Sequence, residues 1–106
     1  MRTLAIPEEL LKGVLEVFQP DRVILFGSHA RGEENSDSDF DLLVVVPDDT
    51  PQERLTLAAR RAARLAFRKA ADIVPCRRSV FERKLRVPGS LASIANSQGV
   101  VVYERS

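Results

Sequence analysis

The spacing of apolar and polar residues predicts a chain in which helices and strands alternate. An apolar residue at every third or fourth position of residues 7–18 predicts an amphipathic helix. Largely apolar runs at residues 22–26 and 39–46 are typical of buried strands, which Gly27 and Pro47 end. We predict the remaining elements as a helix over 51–69, a strand over 71–76, helices over 79–86 and 88–97, and a strand over 100–103.

These elements predict an α/β (α+β) fold with a small mixed sheet of about four strands and helices packed on one side. The predicted helix over 51–69 has small residues on its expected buried side, namely Ala58, Ala62, Leu65 and Ala66. Such a side allows close packing against a sheet. Arg54, Arg61 and Arg68 are seven residues apart and are expected on one outward face.

Length and composition narrow the class of protein. The 106 residues, 44% hydrophobic and 29% charged, are typical of one globular domain over residues 1–106. No apolar run approaches the length needed to cross a bilayer, and we expect neither a signal peptide nor a membrane partner. One cysteine excludes an internal disulfide and a multi-cysteine metal site. The predicted location is the cytoplasm.

Charge is distributed unevenly along the chain. Residues 1–50 contain eleven acids and four bases, whereas residues 51–106 contain four acids and twelve bases. This asymmetry favours an anionic ligand or partner for the second half. The alternative is that most of these arginines lie on solvated helix faces, and the sequence leaves both interpretations open.

The candidate residues for phosphate and metal binding are concentrated between residues 27 and 42. Gly27 and Ser28 end a predicted strand in a small-residue turn, where backbone amides can bind phosphate. Asp39 and Asp41 follow at the start of the next strand, two residues apart and therefore on the same side of it. Two adjacent carboxylates repel each other unless a cation lies between them, and Mg²⁺ prefers such oxygen ligands.

This stretch resembles the minimal nucleotidyltransferases of the DNA polymerase β-like superfamily. Their pattern is Gly-Ser-x-Ala-Arg-Gly followed by Ser-Asp-x-Asp-Leu. The chain matches every fixed position of it, with Gly27, Ser28, Ala30, Arg31, Gly32, Ser38, Asp39, Asp41 and Leu42. The order and length of the surrounding elements also fit, so the resemblance extends over nearly the whole chain and implies the nucleotidyltransferase fold.

The resemblance also implies a site and a reaction. Asp72 stands on the next predicted strand, where the family has a third carboxylate. Asp39, Asp41 and Asp72 would be the catalytic residues and would hold two Mg²⁺ ions. Gly27, Ser28 and Arg31 would bind the nucleotide, with ATP as substrate, although Arg31 could instead brace the loop by pairing with a carboxylate.

The motif does not specify which molecule accepts the AMP group. Small proteins of this kind resemble antitoxins of HEPN/MNT modules, which implies AMP transfer to a hydroxyl of a HEPN-domain toxin encoded nearby. A non-catalytic antitoxin that only docks, and a transferase for a small molecule, are the alternatives. Nucleic acid is disfavoured as the acceptor because no aromatic residues interleave with the basic runs at residues 77–78 and 83–86. A homodimer or hetero-oligomer is compatible with the exposed edges of so small a sheet.

Overall fold

A computed structural model describes residues 6–27, 40–65, 67 and 70–105. In chain order its elements are helix α1 (Glu8–Phe18), strands β1 (Arg22–Phe26) and β2 (Phe40–Val46), a 3₁₀ turn (Gln52–Leu55), helix α2 (Leu57–Ala63), strand β3 (Ala71–Arg77), helices α3 (Arg78–Lys84) and α4 (Leu91–Gln98), and strand β4 (Val100–Glu104). The fold class predicted from the sequence is confirmed. None of the helices in the described ranges is long and apolar enough to cross a membrane.

The four strands form one mixed sheet in the order β3-β2-β1-β4. Strand β1 is antiparallel to both of its neighbours, β2 and β4. Strands β2 and β3 are parallel, because the segment that joins them, including α2, returns the chain to the end of the sheet where β2 begins. The starts of β2 and β3 and the end of β1 therefore share one end of the sheet.

Helices cover both faces of the sheet, so the predicted packing on one side is wrong. On one face, α1 and α2 pack against a cluster that includes Leu42, Val44 and Val46 of β2. On the other face, Phe81 of α3 and residues of α4 pack against Leu43 and Val45. Because successive side chains of a strand point to opposite faces, an unbroken apolar run such as that of β2 needs a helix layer on each face.

Helix α1 and helix α2 approach each other closely at Gly13. A Cβ atom on Gly13 would collide with the backbone carbonyl of Ala63, at the end of α2. The absence of a side chain thus lets the two backbones touch. Leu10, Val14 and Phe18 of α1 are fully buried around this contact, as the helical spacing of apolar residues predicted.

The predicted helix over residues 51–69 is divided in two at Thr56. The Thr56 hydroxyl accepts a hydrogen bond from the Ala59 N–H (3.2 Å) and caps α2, while the preceding residues form the 3₁₀ turn. The side of this helix that was predicted to be buried is also wrong. Ala63 is buried instead, Leu65 is 85% exposed and the alanines at 58 and 62 are exposed. Ala66 and Arg68 lie outside the described residues.

Candidate active site

Two carboxylates lie side by side where β2 and β3 begin. Asp41 and Asp72 are direct partners in the parallel register, and Phe26, the last residue of β1, is the partner of Asp41 across the antiparallel pair. Neighbouring strands are about 4.8 Å apart, and residues in register point to the same face. Strand pairing therefore fixes both carboxylates next to each other. Asp41 is half-buried, whereas Asp72, on the edge strand β3, is exposed.

Gly27 follows β1 and lies against the Asp41 carboxylate. Its φ of 81° is in the left-handed region that favours glycine. A Cβ atom at this position would collide with Oδ2 of Asp41. Gly27, the described residue of the predicted phosphate-binding turn, is thus in contact with one of the two carboxylates.

Other predicted site residues lie outside the described residues, namely Ser28, Arg31 and Asp39. Their roles stay predictions. Among the described residues no group of three or more His, Cys, Asp and Glu side chains is close enough to hold a metal. The two carboxylates that the register does bring together are hard oxygen donors, so this part of the donor set fits Mg²⁺.

Three arginines lie beside the carboxylates. A cavity of ≈ 460 Å³ is lined by Asp41, Leu57, Arg60, Arg61, Arg64, Ala70, Ala71, Asp72 and Ile73. Arg64 is anchored there, because its Nη1 donates a hydrogen bond to the Ala71 carbonyl (2.9 Å), next to Asp72. Nε of Arg60 is buried without a hydrogen-bond partner among the described residues. A buried donor of this kind is satisfied when an acceptor such as a carboxylate or phosphate oxygen binds.

Residues on both sides of this cavity lie within a stretch that matches a known protein family. The family described as "Nucleotidyltransferase domain" matches residues 7–95, which contain both carboxylates and Gly27. The chain belongs to this nucleotidyltransferase family. The resemblance found in the motif at residues 27–42 is therefore confirmed.

One sequence relative and one solved structure are similar to this chain. A protein of Methanocaldococcus jannaschii named "Putative protein adenylyltransferase" is 40% identical over 50 residues, which are 45% of this chain and 50% of the relative. The chain thus matches half the length of that relative. A solved structure titled "Crystal structure of the toxin-antitoxin with AMP-PNP" superposes with a TM-score of 0.62 over 95% of this chain and 76% of that one, at 20% identity. At that identity the superposition shows a shared fold.

The three arginines of the nucleotidyltransferase site were not identified from the sequence as site residues. Arg61 was assigned to an outward face, and no role was predicted for Arg60 or Arg64. A signal was present, because residues 54–71 contain six bases and no acid. In the described part of the chain, the ion pairs involve neither these arginines nor Asp72.

At the opposite end of the sheet the nucleotidyltransferase has a second charged region, around a cavity of ≈ 380 Å³. Here the charges are paired with one another. Arg22 donates to Glu104 (2.7 Å), and Asp21 interacts with both Arg78 (3.3 Å) and Arg105 (3.7 Å). This arrangement is that of a structural network, with its charges already satisfied.

Cys76, on β3, is near this second region, since its register partner Val45 lines the second cavity. The thiol is half-buried, and burial raises its pKa above the ordinary value. A thiol of this kind is a weak nucleophile near neutral pH. We therefore assign Cys76 to packing.

Proposed function

We propose that this nucleotidyltransferase transfers AMP from ATP to a hydroxyl group of a partner protein, a HEPN-domain toxin encoded nearby, and thereby acts as an antitoxin. The observation that carries the proposal is the alignment of Asp41 and Asp72 in the strand register, with Gly27 against Asp41. The similarity to a protein named as a putative protein adenylyltransferase and to the structure of a toxin–antitoxin complex supports the choice of a protein acceptor.

In this proposal Asp39, Asp41 and Asp72 hold two Mg²⁺ ions. When bound, such ions neutralise phosphate charge and lower the pKa of the attacking hydroxyl. In the same proposal, amides of Gly27 and Ser28 bind the β- and γ-phosphates of ATP. Arg31 adds a positive charge to the same loop or braces it.

The reaction is a substitution at the α-phosphorus. The acceptor oxygen forms a bond to this phosphorus while the bond to the oxygen that bridges the α- and β-phosphates breaks. Pyrophosphate leaves, and the hydroxyl proton passes to Asp72. An exposed carboxylate on an edge strand is accessible to an acceptor that is itself a large molecule. This exposure favours Asp72 over the half-buried Asp41 for the proton.

The test is an incubation with ATP labelled at the α-phosphate, Mg²⁺ and the neighbouring HEPN-domain protein. We expect the label on that protein with the wild type, and none with Asp41→Asn or Asp72→Asn. Asp21→Asn, which changes an acid at the opposite end of the sheet, is the matched control and should label as the wild type does.

Docking without catalysis makes a different prediction. If the complex forms and neutralises the toxin equally with Asp41→Asn and Asp72→Asn, stoichiometric binding explains the antitoxin effect. An intact complex without any label on the partner would contradict the proposed acceptor.

A further inference from the structure

Helix α2 presents an unusual surface beside the carboxylates. We name the side chains of Leu57, Arg60, Arg61 and Arg64, which line the same cavity as Asp41 and Asp72, the α2 surface. Leu57 is 60% exposed, although it is a large apolar residue. Arg61 is exposed, and the other two arginines are half-buried. An exposed leucine surrounded by arginines is the composition of a binding surface with one apolar anchor and a charged rim.

No ion pair among the described residues neutralises the arginines of this surface. The whole chain has a formal net charge of +1, whereas residues 54–71 contain six bases and no acid. Within the described ranges, the arginines of the α2 surface take part in no ion pair, and Nε of Arg60 is buried without an acceptor. An acidic ligand would supply both the missing negative charge and the missing acceptor.

The position of the surface indicates which substrate it serves. Across this end of the sheet the order is Gly27 after β1, Asp41 on β2 and Asp72 on the edge strand β3. Gly27 and Asp41 are in contact, so the proposed phosphate turn lies on the β1 side of the carboxylates. The α2 surface lies toward β3, because Arg64 is bonded to the carbonyl of Ala71, the residue before Asp72, and the cavity that it lines includes both carboxylates. With the nucleotide on the β1 side, as in the proposed function, the β3 side is left for the acceptor.

The apolar anchor favours a protein over a nucleic acid. Single-stranded nucleic acids bind through aromatic side chains on which bases stack, in addition to basic residues. None of the described residues that line this cavity is aromatic. Leu57 instead matches the apolar contacts at the centre of protein interfaces.

We propose that the α2 surface is the docking site for an acidic face of the acceptor protein, which places the acceptor hydroxyl beside Asp72. This inference rests on the proposed function for the role of the docked protein. Docking itself, however, depends only on the charge and apolar exposure of α2.

The test uses a fluorescent amphipathic peptide with glutamates on one helical face, leucines on the other and one tyrosine. Its binding is measured by anisotropy, beside a peptide with lysines in place of the glutamates and an oligouridylate of equal charge. We expect the acidic peptide to bind, with an affinity that falls as salt is added. Arg61→Glu and Leu57→Asp should each weaken binding about five- to tenfold.

Each variant has a matched control. Arg83→Glu reverses an exposed arginine near the end of another short helix, α3. Leu91→Asp changes a leucine that, like Leu57, is exposed and is the first residue of a helix capped by a hydroxyl. Both controls should leave binding unchanged. Aspartate is favourable in the first turn of a helix, so Leu57→Asp should fold, which circular dichroism checks.

Several outcomes would overturn the inference. The first is that the acidic peptide does not bind, and the second is that the lysine peptide binds equally well. The third is that oligouridylate binds and that Arg61→Glu weakens this binding while Leu57→Asp does not. The third outcome would indicate a nucleic-acid surface. Calorimetry with Mg²⁺ and ATP separates this inference from the proposed function. If the wild type does not bind ATP, the proposed function fails, while the peptide data still decide whether the α2 surface docks an acidic protein.

Discussion

The two ends of the sheet contain the same kinds of side chain in opposite arrangements. At the end with Asp21 and Arg78, acids and arginines bind one another directly, at distances as short as 2.7 Å. At the other end, Asp72 lines one cavity with Arg60, Arg61 and Arg64, and within the described ranges no ion pair joins Asp72 to these arginines.

We interpret this difference as a division between charges that stabilise the fold and charges of the candidate site. Paired charges satisfy each other and add modest stability, whereas charges held apart retain their capacity to bind a ligand. We therefore expect changes at the Asp21 end to alter the free energy of unfolding and changes at the Asp72 end to alter activity. The predictions below test that division, beginning with the largest effect.

Asp72→Asn should lower transfer activity by ~10²- to 10³-fold, because it removes a charge aimed at the reacting groups. It should not lower the free energy of unfolding. Two carboxylates directly opposite each other on neighbouring strands repel, so the variant should be as stable as the wild type or slightly more stable, by up to about 0.5 kcal/mol. Transfer assays and urea denaturation measure the two quantities. A clear loss of stability would show that Asp72 is structural after all.

Gly27→Ala should lower the free energy of unfolding by about 1–3 kcal/mol and also reduce activity, since φ is 81° and the new Cβ would displace Asp41. Gly89→Ala is the matched control. Gly89 has nearly the same φ, 82°, but a Cβ there would contact nothing within 4 Å. The control should therefore show the backbone cost alone and full activity. Equal losses of activity in both variants would argue against the contact between Gly27 and the site.

Asp21→Asn should lower the free energy of unfolding by about 1 kcal/mol, because the 17% exposed carboxylate interacts with two arginines. Transfer activity should be unchanged. This result would be the reverse of that for Asp72→Asn. If Asp21→Asn lowered activity without lowering stability, it would contradict the assignment of the Asp21 end to stability and the Asp72 end to activity.

The smallest expected effect concerns Cys76. Because burial raises the pKa of its thiol, the folded chain holds this proton more tightly than the unfolded chain does. The resulting stabilisation is present below the ordinary thiol pKa and is lost as pH rises through the folded-state pKa. Alkylation with iodoacetamide should be slower than for a free thiol and unaffected by Mg²⁺ and ATP. Faster alkylation on adding nucleotide would reveal coupling between the two ends.

Much of the fold could be predicted from the sequence because β1 and β2 are largely apolar runs with sharp ends. Strand β1 has the predicted bounds, and β2 ends where Pro47 follows. The prediction that helices cover only one face of the sheet was wrong, although the sequence of β2 indicates that both faces are covered. Five consecutive apolar residues in β2, Leu42 to Val46, leave no polar position for a solvent-facing side.

The buried side of α2 could not be chosen from its own sequence. Alanines occupy positions 58, 59, 62 and 63, on several sides of the helix, so the periodic pattern fits more than one orientation. The contact between Gly13 and the Ala63 backbone decides it, and that contact joins residues distant in sequence. The arginines of the candidate site were missed for the same reason, because their position beside Asp72 follows from the orientation of α2.

The parallel register between Asp41 and Asp72 also determines where the chain tolerates insertions and deletions. The segments between strands can change length without moving either carboxylate, provided that the pairing of β2 with β3 is kept. One residue added to β3 just after Asp72, with the pairing of Ile73 onward kept, would instead turn that carboxylate to the opposite face, since side chains alternate along a strand. Length variation among related chains should therefore be compatible with activity in the segment between β3 and β4, which holds no candidate site residue, and incompatible with it at the start of β3.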